Sequence, residues 1–191
     1  MKKKGKIIIL SGPSGSGKTT LYEKLLKNVT LKKKLKKIVS YTTRSKRIGE
    51  KNGRDYFFVS LKMFLYKKRT GHFLETEKVF SNFYGTPKKG VAEVLGQGQN
   101  ILLCIDVKGA RQVLKMIPEA VSIFVNTSDY GVLRSRLIAR GSENKKVLSL
   151  RLKTAKEELK AIGQYDHVVI NDRLVLAVQK LEKLVFSVIQ E

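Results

Sequence analysis

Gly12-Pro13-Ser14-Gly15-Ser16-Gly17-Lys18-Thr19 fills every fixed position of the phosphate-loop pattern G-x-x-x-x-G-K-[ST]. Ahead of it runs Ile7-Ile8-Ile9-Leu10, an apolar stretch of strand length. Behind it, Thr20-Leu21-Tyr22-Glu23-Lys24-Leu25-Leu26 puts Leu21, Leu25 and Leu26 on one helical face. Strand, glycine loop and helix together are the context in which this pattern binds a nucleoside triphosphate. The glycines let successive N–H groups converge on a phosphate at the positive end of a helix. Lys18 then reaches the β and γ phosphates, and the Thr19 hydroxyl ligates Mg²⁺. Gly12 through Thr19, with Thr20 behind them, are the candidate triphosphate-binding residues. The loop does not name an acceptor, because ATPases, GTPases, kinases and motor domains share it.

The chain has 191 residues, enough for one well-buried α/β unit with a small insertion and too few for two full domains. No apolar run approaches the ~20 residues of a membrane span, and the basic start does not lead into a secretory signal, so a cytoplasmic protein is expected. Cys104 is the single cysteine, which excludes an intramolecular disulfide or a thiolate metal cluster, and its neighbours Leu102, Leu103 and Ile105 predict an inert buried thiol. Lys and Arg number 39 against 16 Asp and Glu, a net charge of +23. A charge of this size attracts nucleic acid or an anionic surface. Yet the lysine runs at 2–4 and 32–37 carry no interleaved aromatics on which bases would stack, so no specific nucleic-acid partner and no membrane partner are expected. The composition leaves the oligomeric state open between monomer and homo-oligomer.

Along the chain, β-branched and aromatic residues predict strands at 37–43 and 55–59. Ser60 can cap a helix from Leu61 to about Lys68, with Gly71 beyond its end. Residues 73–80 read as extended, and Thr86-Pro87 as the cap and first position of the next helix. This strand-rich middle looks like an insertion into the α/β core. The core resumes at Ile101-Leu102-Leu103-Cys104-Ile105, with Asp106 at the end of the run where α/β sheets place ligands. A second buried strand is expected at 121–125, with Asp129 as cap of the helix behind it. Leu148, Leu152, Ala155, Leu159 and Ile162 mark an amphipathic helix. His167-Val168-Val169-Ile170-Asn171 supplies a last strand before a terminal helix.

Ser40-Tyr41-Thr42-Thr43-Arg44-Ser45-Lys46-Arg47, followed by Glu50, Gly53, Asp55, Tyr56 and Phe57, resembles the acceptor segment of guanylate kinases. The resemblance continues in order through Phe73-Leu74-Glu75, Tyr84-Gly85-Thr86, Asp106-Val107-Lys108-Gly109, Arg136-Leu137-Ile138-Ala139-Arg140-Gly141 and Tyr165-Asp166-His167-Val168-Val169-Ile170-Asn171. It implies an α/β fold, a phosphate-loop parallel sheet flanked by helices. The core would be 1–38, 94–129 and 157–191, with a GMP-binding subdomain at 39–93 and a helical lid at 130–156. The implied reaction is ATP + GMP ⇌ ADP + GDP with Mg²⁺, dGMP being a second acceptor. By the same resemblance Arg44, Arg47, Tyr56 and Tyr84 hold the GMP phosphate, and Ser40, Glu75, Thr86 and Asp106 surround the guanine. Arg136, Arg140 and Arg151 close over the ATP phosphates. Lys18, Arg44 and these three lid arginines are the catalytic candidates, and Asn171 lies toward the adenine. The chemistry agrees: guanidinium and phenol groups donate to a phosphate, and carboxylates accept from guanine N1–H and N2–H₂.

Two departures from the family pattern stand out. Cys104 occupies a position that is commonly acidic, which puts a metal role there in doubt. The lid after Gly141, Ser142-Glu143-Asn144-Lys145-Lys146, is more basic than usual. Other readings of the residues remain. Tyr56 and Tyr84 can be half-buried strand aromatics, and Arg44 and Arg47 part of a general basic surface. A phosphopeptide-binding scaffold module shares the resemblance but typically lacks the intact loop and lid arginines found here. A kinase of another acceptor, such as a phosphorylated sugar, leaves Ser40 and Glu75 without a purpose.

Overall fold

The computed structural model describes residues 4–79, 81–139 and 145–190. Phe80, Arg140 and residues 141–144, named above, lie outside the described residues. In chain order the elements are β1 (Ile7–Ser11), α1 (Lys18–Leu25), α2 (Val29–Lys34), β2 (Leu35–Lys37), β3 (Tyr41–Thr42) and β4 (Phe57–Phe58). Then come α3 (Leu61–Arg69), β5 (Phe73–Val79), β6 (Asn82–Pro87), α4 (Lys88–Gly96), β7 (Asn100–Cys104) and α5 (Val107–Met116). The chain continues through β8 (Val121–Asn126), α6 (Tyr130–Ala139), α7 (Lys145–Leu159), a 3-10 turn (Ile162–Gln164), β9 (His167–Ile170) and α8 (Leu174–Gln190). A five-stranded sheet has the order β2-β7-β1-β8-β9 and a four-stranded sheet the order β4-β3-β6-β5. The fold is therefore the expected α/β arrangement, a parallel sheet with helices around it.

The chain divides into two compact units. One combines the N-terminal stretch up to Ile7 with Lys36–Leu103 and Lys108–Ala120; the other combines Ile8–Leu35, Cys104–Val107 and the chain from Val121 onward. In the second unit β1 runs parallel to β8, with Leu10 beside Ile123, and β8 runs parallel to β9, with Phe124 beside Val168. All five residues of β1 are buried, as a strand covered on both faces requires. Each fully buried Ile or Leu side chain here contributes about 1.5–3 kcal/mol. Leu148, Leu152 and Ala155 of α7 pack on Leu133 and Leu137 of α6, while Leu159 and Ile162 pack on Val107, Phe124 and Ala161. The apolar face predicted as one helix is thus divided: α7 ends at Leu159 and Ile162 belongs to the 3-10 turn.

The first unit is built on the four-stranded sheet. Phe73 stacks on Phe64 of α3 at 4.7 Å, and Tyr41 meets Phe57, His72 and Phe73. Ser60 caps α3 as expected, its hydroxyl accepting from the Met63 N–H at 3.2 Å. Edge strand β5 is covered by Gln112 of α5, whose side-chain amide exchanges two hydrogen bonds with the Thr76 backbone, 3.1 and 3.0 Å, as a neighbouring strand would.

Two local expectations need correction, and one helix had no expectation at all. The stretch 37–43 is not one strand but the end of β2 and the two-residue β3. Thr86 does not cap α4: Pro87 is the N-cap residue and has no side-chain bond to offer, while the Thr86 hydroxyl is directed at Glu75. The lysine run at 32–37 hides a helix, α2, whose N-cap Asn28 accepts from the Thr30 and Leu31 amides and whose only buried side chain is Leu31.

Candidate active site

Two glycines set the phosphate loop in the second unit. Gly12 has φ +137° and a Cβ there would strike the Val125 carbonyl; Gly17 has φ +89° and a Cβ would strike the Asn171 amide. Around them the loop's own polar groups are tied down. Lys18 Nζ donates to the carbonyl oxygens of Gly12 (2.6 Å) and Pro13 (2.9 Å). The Ser16 N–H turns back to the Pro13 carbonyl at 3.2 Å, and the buried Asn171 Nδ2 donates to the Ser16 carbonyl at 2.8 Å. The Ser14 N–H donates to Glu158 Oε2 at 3.3 Å. Thr19 and Thr20 are exposed on the first turn of α1.

Beside the loop, Gly15, Gly17, Thr20, Arg136, Ala139, Asn171 and Leu174 line a cavity of about 360 Å³. Arg136, half-buried on α6, reaches the Asp172 carbonyl at 3.4 Å. The structure thus brings Arg136 and Asn171 to the phosphate loop. Arg151 is half-buried on α7, and Arg140 lies outside the described residues. At the end of β7, burial pushes the Cys104 thiol up to about 11 against the pull of the Lys18 ammonium, so it stays protonated. A protonated thiol agrees with the inert one expected, although Cys104 is half-buried rather than buried. Asp106 follows it, half-buried ahead of α5.

In the first unit the acceptor candidates form two clusters. One is a hydrogen-bonded line: Ser40 Oγ lies 3.4 Å from Thr86 Oγ1, which donates to Glu75 Oε1 at 2.6 Å. Because the single Thr86 proton goes to Glu75, Ser40 is the donor to Thr86. Glu75 is 5% exposed and Thr86 fully buried. Sheet register explains the pairing, since Glu75 stands opposite Thr86 and the register slips between Phe73 and Glu75. Phe73, Leu74 and Glu75 are all buried, which strict alternation along a half-solvated strand would not allow.

The second cluster centres on Arg44. Its guanidinium grips Glu50 through two bonds, 2.7 and 3.1 Å, and lies over the rings of Tyr56 (5.5 Å) and Phe58 (5.7 Å). Tyr56 in turn meets Tyr84 edge-on at 5.9 Å. Hydrogen bonding to Glu50 holds Arg44 above its ordinary pKa against its partial burial, with a smaller push from Tyr84. The same bond, helped by the Arg47 N–H, holds the Glu50 carboxyl below the usual range. Arg47 itself is exposed, and its backbone N–H donates to Glu50 Oε2 at 2.8 Å.

Sequence reasoning missed Glu50 and Glu158. Glu50 was visible in the acceptor motif, and the i, i+6 reach from Arg44 needs only the tight turn that Gly49, φ +84°, makes between them. Glu158 lies 144 residues from Ser14, and no spacing rule connects them.

The sequence matches the guanylate kinase family model over residues 4–188. It is 40% identical over 186 residues to the guanylate kinase of Clostridioides difficile strain 630, covering 97% of this chain and 89% of the relative. It is 40% identical over 185 residues to that of Listeria monocytogenes serovar 1/2a strain EGD-e, with the same coverage of 97% and 89%. The crystal structure of guanylate kinase from Anaplasma phagocytophilum superposes with a TM-score of 0.80 at 32% identity, covering 100% of this chain and 89% of that one. A match that runs through loop, acceptor clusters and lid segment alike leaves one conclusion: the chain belongs to the guanylate kinase family.

Proposed function

We propose that this chain transfers the γ-phosphoryl group of ATP to GMP, and to dGMP, giving ADP and the nucleoside diphosphate, a step in purine nucleotide metabolism in the cytoplasm. Family membership supports the ATP:GMP phosphotransferase activity, and the observation that carries the choice of acceptor is the buried Ser40–Thr86–Glu75 line. A carboxylate accepts at up to about four positions, so Glu75 can take both the Thr86 proton and the N1–H and N2–H₂ edge of guanine.

In this reading the loop amides of Gly15, Gly17, Lys18 and Thr19 and the Lys18 ammonium hold the triphosphate, and the 360 Å³ cavity lined by Asn171, Leu174 and Arg136 takes the adenosine end. Arg136, Arg140 and Arg151 neutralise the charge that spreads over the moving phosphoryl group. Phosphoryl transfer asks little covalent chemistry of a protein, so positioning and charge supply the catalysis. Arg44, Arg47, Tyr56 and Tyr84 hold the GMP phosphate, with Glu50 keeping the Arg44 guanidinium in its fixed orientation. Asp106 completes the guanine set.

Among the described residues no three His, Cys, Asp or Glu side chains gather as a metal cage. The donor set fits a cation that arrives on the nucleotide instead: the exposed Thr19 hydroxyl would supply one protein ligand to Mg²⁺, a cation that usually retains waters beside substrate phosphates. Bound there, Mg²⁺ would offset negative charge on the β and γ phosphates. No helix among the described residues is long and apolar enough to cross a membrane.

The test is coupled ADP release from Mg·ATP with GMP, dGMP, AMP, CMP and UMP in turn. Turnover with GMP and dGMP alone is expected. Equal turnover with AMP removes the guanine reading, and none with any of the five removes the kinase reading.

A further inference from the structure

We infer that Glu158 is a positioning residue, which holds the first half of the phosphate loop and fixes that loop to the helix carrying a lid arginine. The inference rests on the reading that this loop takes the ATP phosphates. Glu158 Oε2 accepts the Ser14 N–H at 3.3 Å, 144 residues away. Pro13 has no N–H, and the Gly12 and Pro13 carbonyls receive the Lys18 ammonium. Ser14 is therefore the first loop amide after Gly12, and Glu158 takes it. The amides that follow it are the ones the motif aims at phosphate.

Glu158 is the second-last residue of α7, whose Leu148, Leu152 and Ala155 rest on α6. Arg151 sits seven residues earlier, two helical turns, so it shares the stripe of Glu158 at a distance of about 10 Å along the axis. A carboxylate bonded to the loop at one end of this stripe therefore sets where Arg151 stands relative to the loop at the other. Glu158 touches no phosphate in this scheme; it acts through the Ser14 backbone and through the register of α7.

The experiment compares Glu158→Ala, Glu158→Gln and Glu158→Asp with the parent enzyme in steady-state kinetics, equilibrium ADP binding and thermal unfolding. Glu158→Ala should raise the ATP KM and weaken ADP binding about tenfold, the fold-change of one lost bond to a charged acceptor, with the GMP KM within about twofold. Glu158→Gln keeps an oxygen that accepts the same N–H and should recover most of the ADP affinity. Glu158→Asp withdraws the carboxylate by one methylene and should again raise the ATP KM, which keeps the question open to measurement if the alanine variant does not fold. Unchanged ATP KM and ADP affinity in both Ala and Asp variants overturns the inference, as does a glutamine variant no better than alanine. A change confined to unfolding temperature also overturns it, by assigning Glu158 to stability alone. Folded parent enzyme that binds neither ADP nor ATP refutes the loop reading itself, and the inference with it.

Discussion

In the proposed function the two units present polar groups to a nucleotide in different ways. Around the phosphate loop the groups offered are backbone amides, while the side chains of Lys18, Asn171 and Glu158 hold the backbone that carries them. In the acceptor unit the groups offered are side chains, and other side chains hold those: Glu50 grips Arg44, and Ser40 and Thr86 line up on Glu75. The difference follows from what each has to recognise. A triphosphate is read as charge, which any well-placed N–H can meet. A base edge has to be told from other base edges, which takes acceptors and donors in fixed places. A backbone site should tolerate exchange of its loop side chains other than Lys18 but depend on its glycines and remote ties. A side-chain site fails one residue at a time.

The largest effect should come from Lys18, the loop side chain proposed to meet the phosphates, whose ammonium here rests on the Gly12 and Pro13 carbonyls. Lys18→Ala should lower kcat by about 10²–10³-fold, the scale for losing a charge that stabilises a transition state. The far-UV circular dichroism should not change, since the half-buried ammonium lies on the loop rather than in the core. Turnover within a few-fold of the parent would place the loop outside the chemistry.

On the side-chain side, Glu50→Ala releases Arg44 from its fixed orientation. The GMP KM should rise about tenfold with the ATP KM unchanged, and Glu50→Gln should fall between alanine and the parent. Equal rises for GMP and ATP would erase the distinction between the two kinds of site.

The smallest effect concerns stability of the acceptor unit. His72 packs edge-on against Tyr41 and Phe73 with its Nε2 buried and unbonded, and burial, with a smaller contribution from Lys67, lowers its pKa from 6.5. The unfolded chain therefore binds a proton at His72 more readily than the folded one. The stability that the neutral ring contributes is fully present above about pH 6.5 and declines as the pH falls below it. Thermal unfolding at pH 7.5 and 5.5 should show a fall in midpoint that is smaller in His72→Phe. An equal fall in both proteins would assign the pH dependence to other groups.

How much of this was readable in the sequence depends on the range of the interaction. The phosphate loop and the α3 cap were legible because their bonds close within a few residues and their positions favour glycine or a short polar side chain such as that of Ser60. The acceptor residues were legible as a motif, but not the bonds between them. Thr86 before Pro87 looks like a helix cap until β5 and β6 pair and put Glu75 opposite it. The register slip beside Leu74, which lets Glu75 be buried together with Phe73 and Leu74, leaves no mark in residue type. Helix α2 was hidden because a single buried leucine, Leu31, carries its packing within a run of lysines. The ties from Asn171 and Glu158 to the loop join residues 155 and 144 positions apart, and only the fold brings them together.

The most direct test of the acceptor site is the ratio of kcat/KM for GMP to that for AMP, in the parent and in Glu75→Gln. Guanine offers N1–H and N2–H₂ to a carboxylate, whereas adenine presents a bare N1 lone pair, so the parent ratio should reach on the order of 10⁴. Glutamine keeps the size of Glu75, loses the charge and offers an amide N–H to adenine N1. GMP use should therefore fall and the ratio narrow by about tenfold or more. If Glu75→Gln leaves both the GMP kinetics and the ratio unchanged, Glu75 does not read the base, and the account of the acceptor unit is wrong.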